Sequence, residues 1–233
     1  MPDGNGARHG ATPRQRHALL TIDPSAWPDV LALHPQAQNP LLLAWAANGW
    51  PVISRRPAVD DRAGELPVGV PLPPAAGKLR IALCVPPAAV VAQEDLPRLE
   101  DAVSAAPPNW HERIDALLAL GHRFALTPAC FGSLCWQFRT GLTYLSATSD
   151  LDVVWPAPAA AEIPALLAGI AAAESLPGPR LDGEIVFADG RAVNWREFYN
   201  ALAGGDDAPI LVKTADGASL APRGSLLNAA RAA

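Results

Sequence analysis

Proline placement constrains this chain more than any other feature, because each proline holds φ at about −65° and removes a backbone donor. Seventeen of the 25 prolines fall within residues 1–110 of a 233-residue chain, and eight in the remainder. That asymmetry predicts a smaller, loop-rich unit followed by a more regular one, with the seam at Pro107-Pro108. Proline and glycine together stay below the roughly 25–30% that marks low-complexity chains, and half of the residues are apolar, so a buried core is within reach. The expected plan is a flexible tail over residues 1–16, a small mixed N-terminal domain over 17–106 and an α+β second domain over 107–233.

Charge is scarce. Eighteen basic against 23 acidic residues leave a net −5, which provides no electrostatic footprint for a nucleic-acid polymer. The three cysteines (Cys84, Cys130, Cys135) are an odd number, which argues against a disulfide framework and for a reducing, cytoplasmic setting. Cys130-x4-Cys135 lacks histidines at a paired spacing and falls short of the about four ligands zinc takes, so both read as small buried hydrophobes. The first 16 residues carry no apolar signal-peptide core. The apolar stretch at 159–173 is interrupted by Glu162 and Pro164 and is shorter than the ~20 residues of a membrane helix, so no membrane partner is expected.

Local patterns place the elements. Pro40 before LLLAWAAN and Gly49 after it frame a short helix. The segments around 51–56, 68–72 and 78–85 read as strands, with Arg55, Arg56, Lys78 and Arg80 available as a basic face or as solvated edge residues. In the second unit, residues 109–121 have helical spacing closed by Gly121, and residues 134–140 form a helix closed by Gly141. A strand is expected over 149–155, a helix over 163–174, a hairpin through Asp189-Gly190, a helix at 195–202, a strand at 209–214 and a last helix at 225–232.

Asp150-Leu151-Asp152 bears the most chemistry. Chance predicts about one Asp-x-Asp in a chain with 15 Asp, and there is one, so the tripeptide alone says nothing. Its context is informative: on a strand, residues i and i+2 share a face with Cα atoms ~7 Å apart, and two carboxylates so placed need solvent or a cation between them. Gly132-Ser133 precedes a helix, whose free N–H groups and the serine hydroxyl would face an anion. Asp182-Gly183-Glu184 offers a third carboxylate; Glu184, deeper in the apolar strand, is favoured, while Asp182-Gly183 reads also as a plain turn. Such a set suits nucleotidyl transfer, in which two shared carboxylates hold divalent cations, Mg2+ or Mn2+, and a third helps bind the ion at the attacking hydroxyl.

The residues Gly132-Ser-Leu-Cys-Trp136-Gln137, Thr140-Gly-Leu-Thr-Tyr144, Ser149-Asp-Leu-Asp152, Asp182-Gly-Glu184 and Val193-Asn-Trp-Arg-Glu197 resemble the malonate decarboxylase holo-acyl-carrier-protein synthase family, also called phosphoribosyl-dephospho-CoA transferase. The resemblance implies a nucleotidyltransferase-like second domain behind a smaller Pro-rich one. It also implies a reaction that joins the prosthetic group of triphosphoribosyl-dephospho-CoA to a serine of the apo acyl-carrier subunit of malonate decarboxylase, with release of pyrophosphate. By the same resemblance Asp150 and Asp152 bind the metal, Glu184 joins them, and Gly132 and Ser133 face phosphate. One departure is the 18-residue step from Gly132 to Asp150, filled by residues 140–148 around Tyr144, which either shape specificity or complete the core.

The remaining candidates divide between site and scaffold. Lys213, at the end of an apolar strand, either contacts phosphate or marks the surface. Arg139 and Arg196 sit on helices, where ion pairs are the commoner role. Trp136 and Trp195 are expected in the core with their N–H groups partnered. A carrier protein is typically acidic and would be steered by the basic face. Two other readings remain open from sequence: a nucleotidyltransferase that adenylylates a protein or small molecule, and a non-catalytic binding module.

Overall fold

The computed structural model describes residues 16–32 and 34–232, so the expected tail, Arg16 excepted, lies outside the described residues. Five strands, β1 (Leu19–Ile22), β2 (Val52–Ser54), β3 (Leu66–Pro71), β4 (Arg80–Val85) and β5 (Val90–Glu94), pair antiparallel in the order β4-β3-β2-β1-β5. Short elements close this sheet over a core that includes Leu19, Ile22, Trp27, Leu42, Trp45 and Val52. The helix Pro40–Leu43 starts as its sequence requires: Asn39 accepts from the N–H groups of Leu41 and Leu42, and Pro40 takes a position where its missing donor costs nothing. Strand β1 has no counterpart in the sequence reading, because four residues without apolar alternation carry no period.

The second sheet holds six strands: β6 (Ala129–Cys130), β7 (Leu151–Pro156), β8 (Leu181–Val186), β9 (Ala192–Asn194), β10 (Pro209–Lys213) and β11 (Ala218–Pro222). Their order is β11-β10-β9-β8-β7-β6, and every neighbouring pair is antiparallel except β7 with β8. A parallel pair needs a crossover, here the helix Ile163–Glu174. The hairpin through Asp189-Gly190 joins β8 to β9.

Three local differences from the sequence reading have physical causes. Helix His111–Phe124 runs past Gly121 to a left-handed Ala125 (φ 52°). Gly121 is there for packing, since a Cβ on it would meet the Leu126 carbonyl at 2.8 Å. Strand β7 begins at Leu151, one residue after Asp150. Around the expected seam, the chain before Pro107 bonds to the second unit: Cys130 N donates to Pro97 O, Leu99 N to Pro128 O, and Gln137 Nε2 to Ala105 O.

Buried side chains of both units form one continuous apolar cluster. Trp45 of the first unit faces Trp136 of the second with ring centroids 6.1 Å apart, and the Tyr144 hydroxyl donates to Pro71 O across the junction at 2.7 Å. Arg139 reaches back to Glu94 on β5 at 2.6 Å.

Candidate active site

Between the two sheets lies a cavity of about 560 Å³. One wall comes from β3, β4 and their connection, with Lys78 and Arg80; the other from Gly132, Ser133, Trp136, Tyr144, Asp152 and Asp182. Of the acidic pair that the sequence places beside a helix start, Asp152 lines this cavity with Gly132 and Ser133, whereas Asp150 does not.

The helix Gly132–Thr140 opens on Gly132 in the left-handed region, φ 63°. Glycine is required there for a second reason: a Cβ would overlap Asp152 Oδ2. The Phe131 N–H donates to the Asp152 backbone carbonyl, which fixes the helix start against β7. The first N–H groups of a helix have no acceptor within it, and the Ser133 hydroxyl has none among the described residues, so donors face the cavity beside the carboxylate.

Asp152 makes no hydrogen bond or ion pair through its side chain among the described residues. Burial, then the like charges of Asp182 and Asp150, push its carboxyl up to about 7. Asp152 and Asp182 stand opposite each other in the parallel β7–β8 register. Gly183, for which the sequence also allowed a turn, lies within β8 as the strand reading has it, where a Cβ would overlap the Val153 carbonyl. Asp182 Oδ1 accepts from Asn194 Nδ2 at 2.8 Å and from Gly183 N at 2.8 Å. Asp150 forms a two-pronged ion pair with Arg180, at 3.1 Å from Nε and 2.5 Å from Nη2. The Arg180 side chain is 58% exposed, so this pair is open to solvent.

Glu184 is elsewhere. Its carboxylate, 6% exposed, accepts from Arg16 at 2.8 Å and Lys213 at 2.8 Å and lies 3.3 Å from His17 Nε2. Burial alone would raise its pKa; the His17 and Lys213 hydrogen bonds and the Arg16 charge outweigh it and hold the group down at about 2. Lys213 is thus committed to Glu184 rather than to the cavity. Arg139 and Arg196 are likewise committed, to Glu94 and Glu174. Trp136 and Trp195 are buried, as expected. The Trp195 indole N–H, however, has no hydrogen-bond partner among the described residues; the Arg196 guanidinium covers its ring at 4.4 Å.

Sequence reasoning passed over Arg180, Asn194, Arg16 and His17. Each is defined by the carboxylate it meets across the fold, and no local spacing announces that. Cys130 and Cys135 are buried free thiols, and burial pushes Cys135 up to about 12. Among the described residues, no three His, Cys, Asp or Glu side chains form a ready-made metal cage, and no helix is long and apolar enough to cross a membrane.

Fold and site together define a two-domain protein of mixed α and β structure with a cavity where the domains meet, lined by both carboxylates and basic side chains. Two family models match in tandem, the phosphoribosyl-dephospho-CoA transferase MdcG N-terminal domain over residues 15–95 and its C-terminal domain over residues 98–224. The chain belongs to this transferase family. It is 38% identical to a phosphoribosyl-dephospho-CoA transferase of Bradyrhizobium diazoefficiens over 96% of both chains. It is 39% identical to one of Xanthomonas axonopodis pv. citri over 94% of this chain and 99% of the relative, and 38% identical to one of Xanthomonas campestris pv. campestris over 91% and 95%. No solved structure matches the chain.

Proposed function

We propose that the protein is a phosphoribosyl-dephospho-CoA transferase that moves the prosthetic group of triphosphoribosyl-dephospho-CoA onto a serine of the apo acyl-carrier subunit of malonate decarboxylase. The observation that carries the reading is the Asp152 carboxylate: without a side-chain partner among the described residues, opposite Asp182, and pressed against the glycine that opens a helix. Family membership supports the transferase assignment, and the relatives' names supply the transferred group. The second domain is read as nucleotidyltransferase-like, because an i, i+2 acidic pair beside a Gly-Ser helix start is what polyphosphate chemistry uses.

In this reading Asp152 and Asp182 hold the divalent cation, Mg2+ or Mn2+, with Asp150 kept close by Arg180. Asp182 takes the third-carboxylate role for which the sequence favours Glu184, because Glu184 is already neutralised by three partners. Few protein ligands are no obstacle: Mg2+ is commonly bound through one or two carboxylates plus substrate phosphates. When bound, the cation neutralises charge on the triphosphate. Ser133 and the helix N–H groups orient a phosphate oxygen, while Trp136 and Tyr144 exclude water from one side of the cavity.

The carrier serine oxygen attacks the α-phosphorus and forms a new P–O bond. The bridging P–O bond to the β-phosphorus breaks, its electron pair leaves with pyrophosphate, and the hydroxyl proton passes to bulk water. The test is pyrophosphate release from the labelled donor with and without apo carrier. Release and label transfer should require both substrates; labelling of protein from ATP alone at a comparable rate would overturn the reading.

A further inference from the structure

We propose that the N-terminal domain supplies a polyphosphate-binding wall, in which Lys78 and Arg80 grip the anionic tail of a ligand whose other side faces Gly132 and Ser133. The proposal rests on the transferase reading above, whose donor carries a triphosphate, and adds the N-terminal-domain residues that hold that group.

The distribution of free and committed cations comes first. Arg55, which the sequence groups with Arg56, Lys78 and Arg80, is taken up by Asp61 and by the carbonyls of Arg56, Val68 and Leu83. Lys213 is taken up by Glu184. Lys78 and Arg80 make no ion pair or side-chain hydrogen bond with the described residues, yet both line the cavity opposite Asp152 and Asp182. Charge is scarce in this chain, and Lys78 is one of only two lysines, so two uncommitted cations facing two carboxylates make a deliberate dipolar gap.

The backbone at Lys78 points the same way. Gly77 (φ 87°) and Lys78 (φ 53°) are both left-handed, a conformation that a side chain with a Cβ disfavours. The turn is held by Lys78 N donating to Pro73 O at 3.1 Å and Leu72 N to Leu79 O at 2.8 Å. Strained residues of this kind cluster at ligand clamps. A chain of phosphates fits the gap: its outer oxygens meet Lys78 and Arg80 in charge-assisted bonds, and its inner oxygens meet the helix N–H groups and whatever cation the carboxylates hold. The apolar remainder of the cavity, including Ile53, Val70, Leu72 and Trp136, suits the uncharged part of such an ester. The pair lines the cavity while remaining exposed, so a ligand can reach it from solvent.

Calorimetry of the full chain with inorganic tripolyphosphate, without divalent cation, tests the wall. The unmodified protein should bind it, and Lys78→Gly and Arg80→Gln should each weaken binding about 10-fold. Lys78→Gly removes charge and strain together, so its thermal midpoint should equal or exceed the parent's, which separates lost binding from lost fold. Arg56→Gln, exposed and outside the cavity, should leave binding unchanged. No binding by the parent, parental affinity in both cavity variants, or an equal loss in Arg56→Gln would each overturn the proposal. Charge-dependent tripolyphosphate binding in a protein that transfers nothing to apo carrier would support the wall and sink only the assigned donor.

Discussion

Asp152 concentrates the opposing demands on this protein. A half-buried carboxylate beside two like charges destabilises the folded state once it ionises, so it is retained for something other than stability. Its folded pKa, raised to about 7 from 3.8, means that its unfavourable contribution is absent below pH 4 and grows as pH rises towards 7 and above. Asp152→Asn should therefore abolish transfer while raising metal-free stability at pH 8 by about 1–3 kcal/mol, read from chemical denaturation. A parental rate of label transfer would contradict the role given to this residue. Gly132 carries the complementary prediction. Gly132→Ala forces a Cβ onto Asp152 Oδ2 from a left-handed backbone, so transfer should fall at least about 100-fold with a stability loss of about 2 kcal/mol. The meeting of Gly132 and Ser133 with Asp152 was legible at this scale. Which carboxylate is paired and which is free was not, because Arg180 meets Asp150 from the strand next door.

At the scale of elements, the segment after helix Gly132–Thr140 is held by one side chain. Gln137 Oε1 accepts from the N–H groups of Tyr144 and Leu145 at 3.0 and 3.1 Å, and its Nε2 donates to Ala105 O at 2.7 Å. The inserted residues thus complete the core, with Tyr144 buried, and line the cavity at once. Tyr144→Phe keeps the packing and removes the bond to Pro71 O. A loss of about 1 kcal/mol in global stability is expected, with faster amide exchange at the junction between the units. An unchanged denaturation curve and exchange pattern would show that the bond contributes nothing. Helix and strand positions with clear periodicity, such as 163–174 and the β8–β9 hairpin, were readable because their local preferences agree with their tertiary setting. Gly121 was misread as a stop because a glycine that admits a neighbouring backbone looks, in sequence, like one that ends a helix.

At the scale of the whole molecule, Glu184 ties the start of the N-terminal unit to the second sheet through Arg16 and His17, with Lys213 beside them. Its folded pKa, about 2 against 4.5, gives a stabilising contribution that is complete above pH 4.5 and is lost as pH falls towards 2. Glu184→Gln should cost about 3 kcal/mol at pH 7 and flatten the acid limb of stability against pH. An acid limb identical to the parent's would show that this cluster does not couple the units. The two domains share one apolar cluster, so the cavity walls are set relative to each other by packing rather than by a linker.

By itself the sequence determined the two-part plan, most helices and strands, and the acidic and Gly-Ser residues that meet at the cavity, because proline, glycine and periodic apolar positions act locally. Only the tertiary structure decided the pairings. It set Asp182 rather than Glu184 opposite Asp152, gave Glu184 to Arg16, His17 and Lys213, and placed the exposed Lys78 and Arg80 on the wall of the same cavity. Those outcomes depend on strand register and domain docking, which bring together residues far apart in the chain. The proline-rich unit, which sequence alone could describe only as loop-rich, forms one wall of the site.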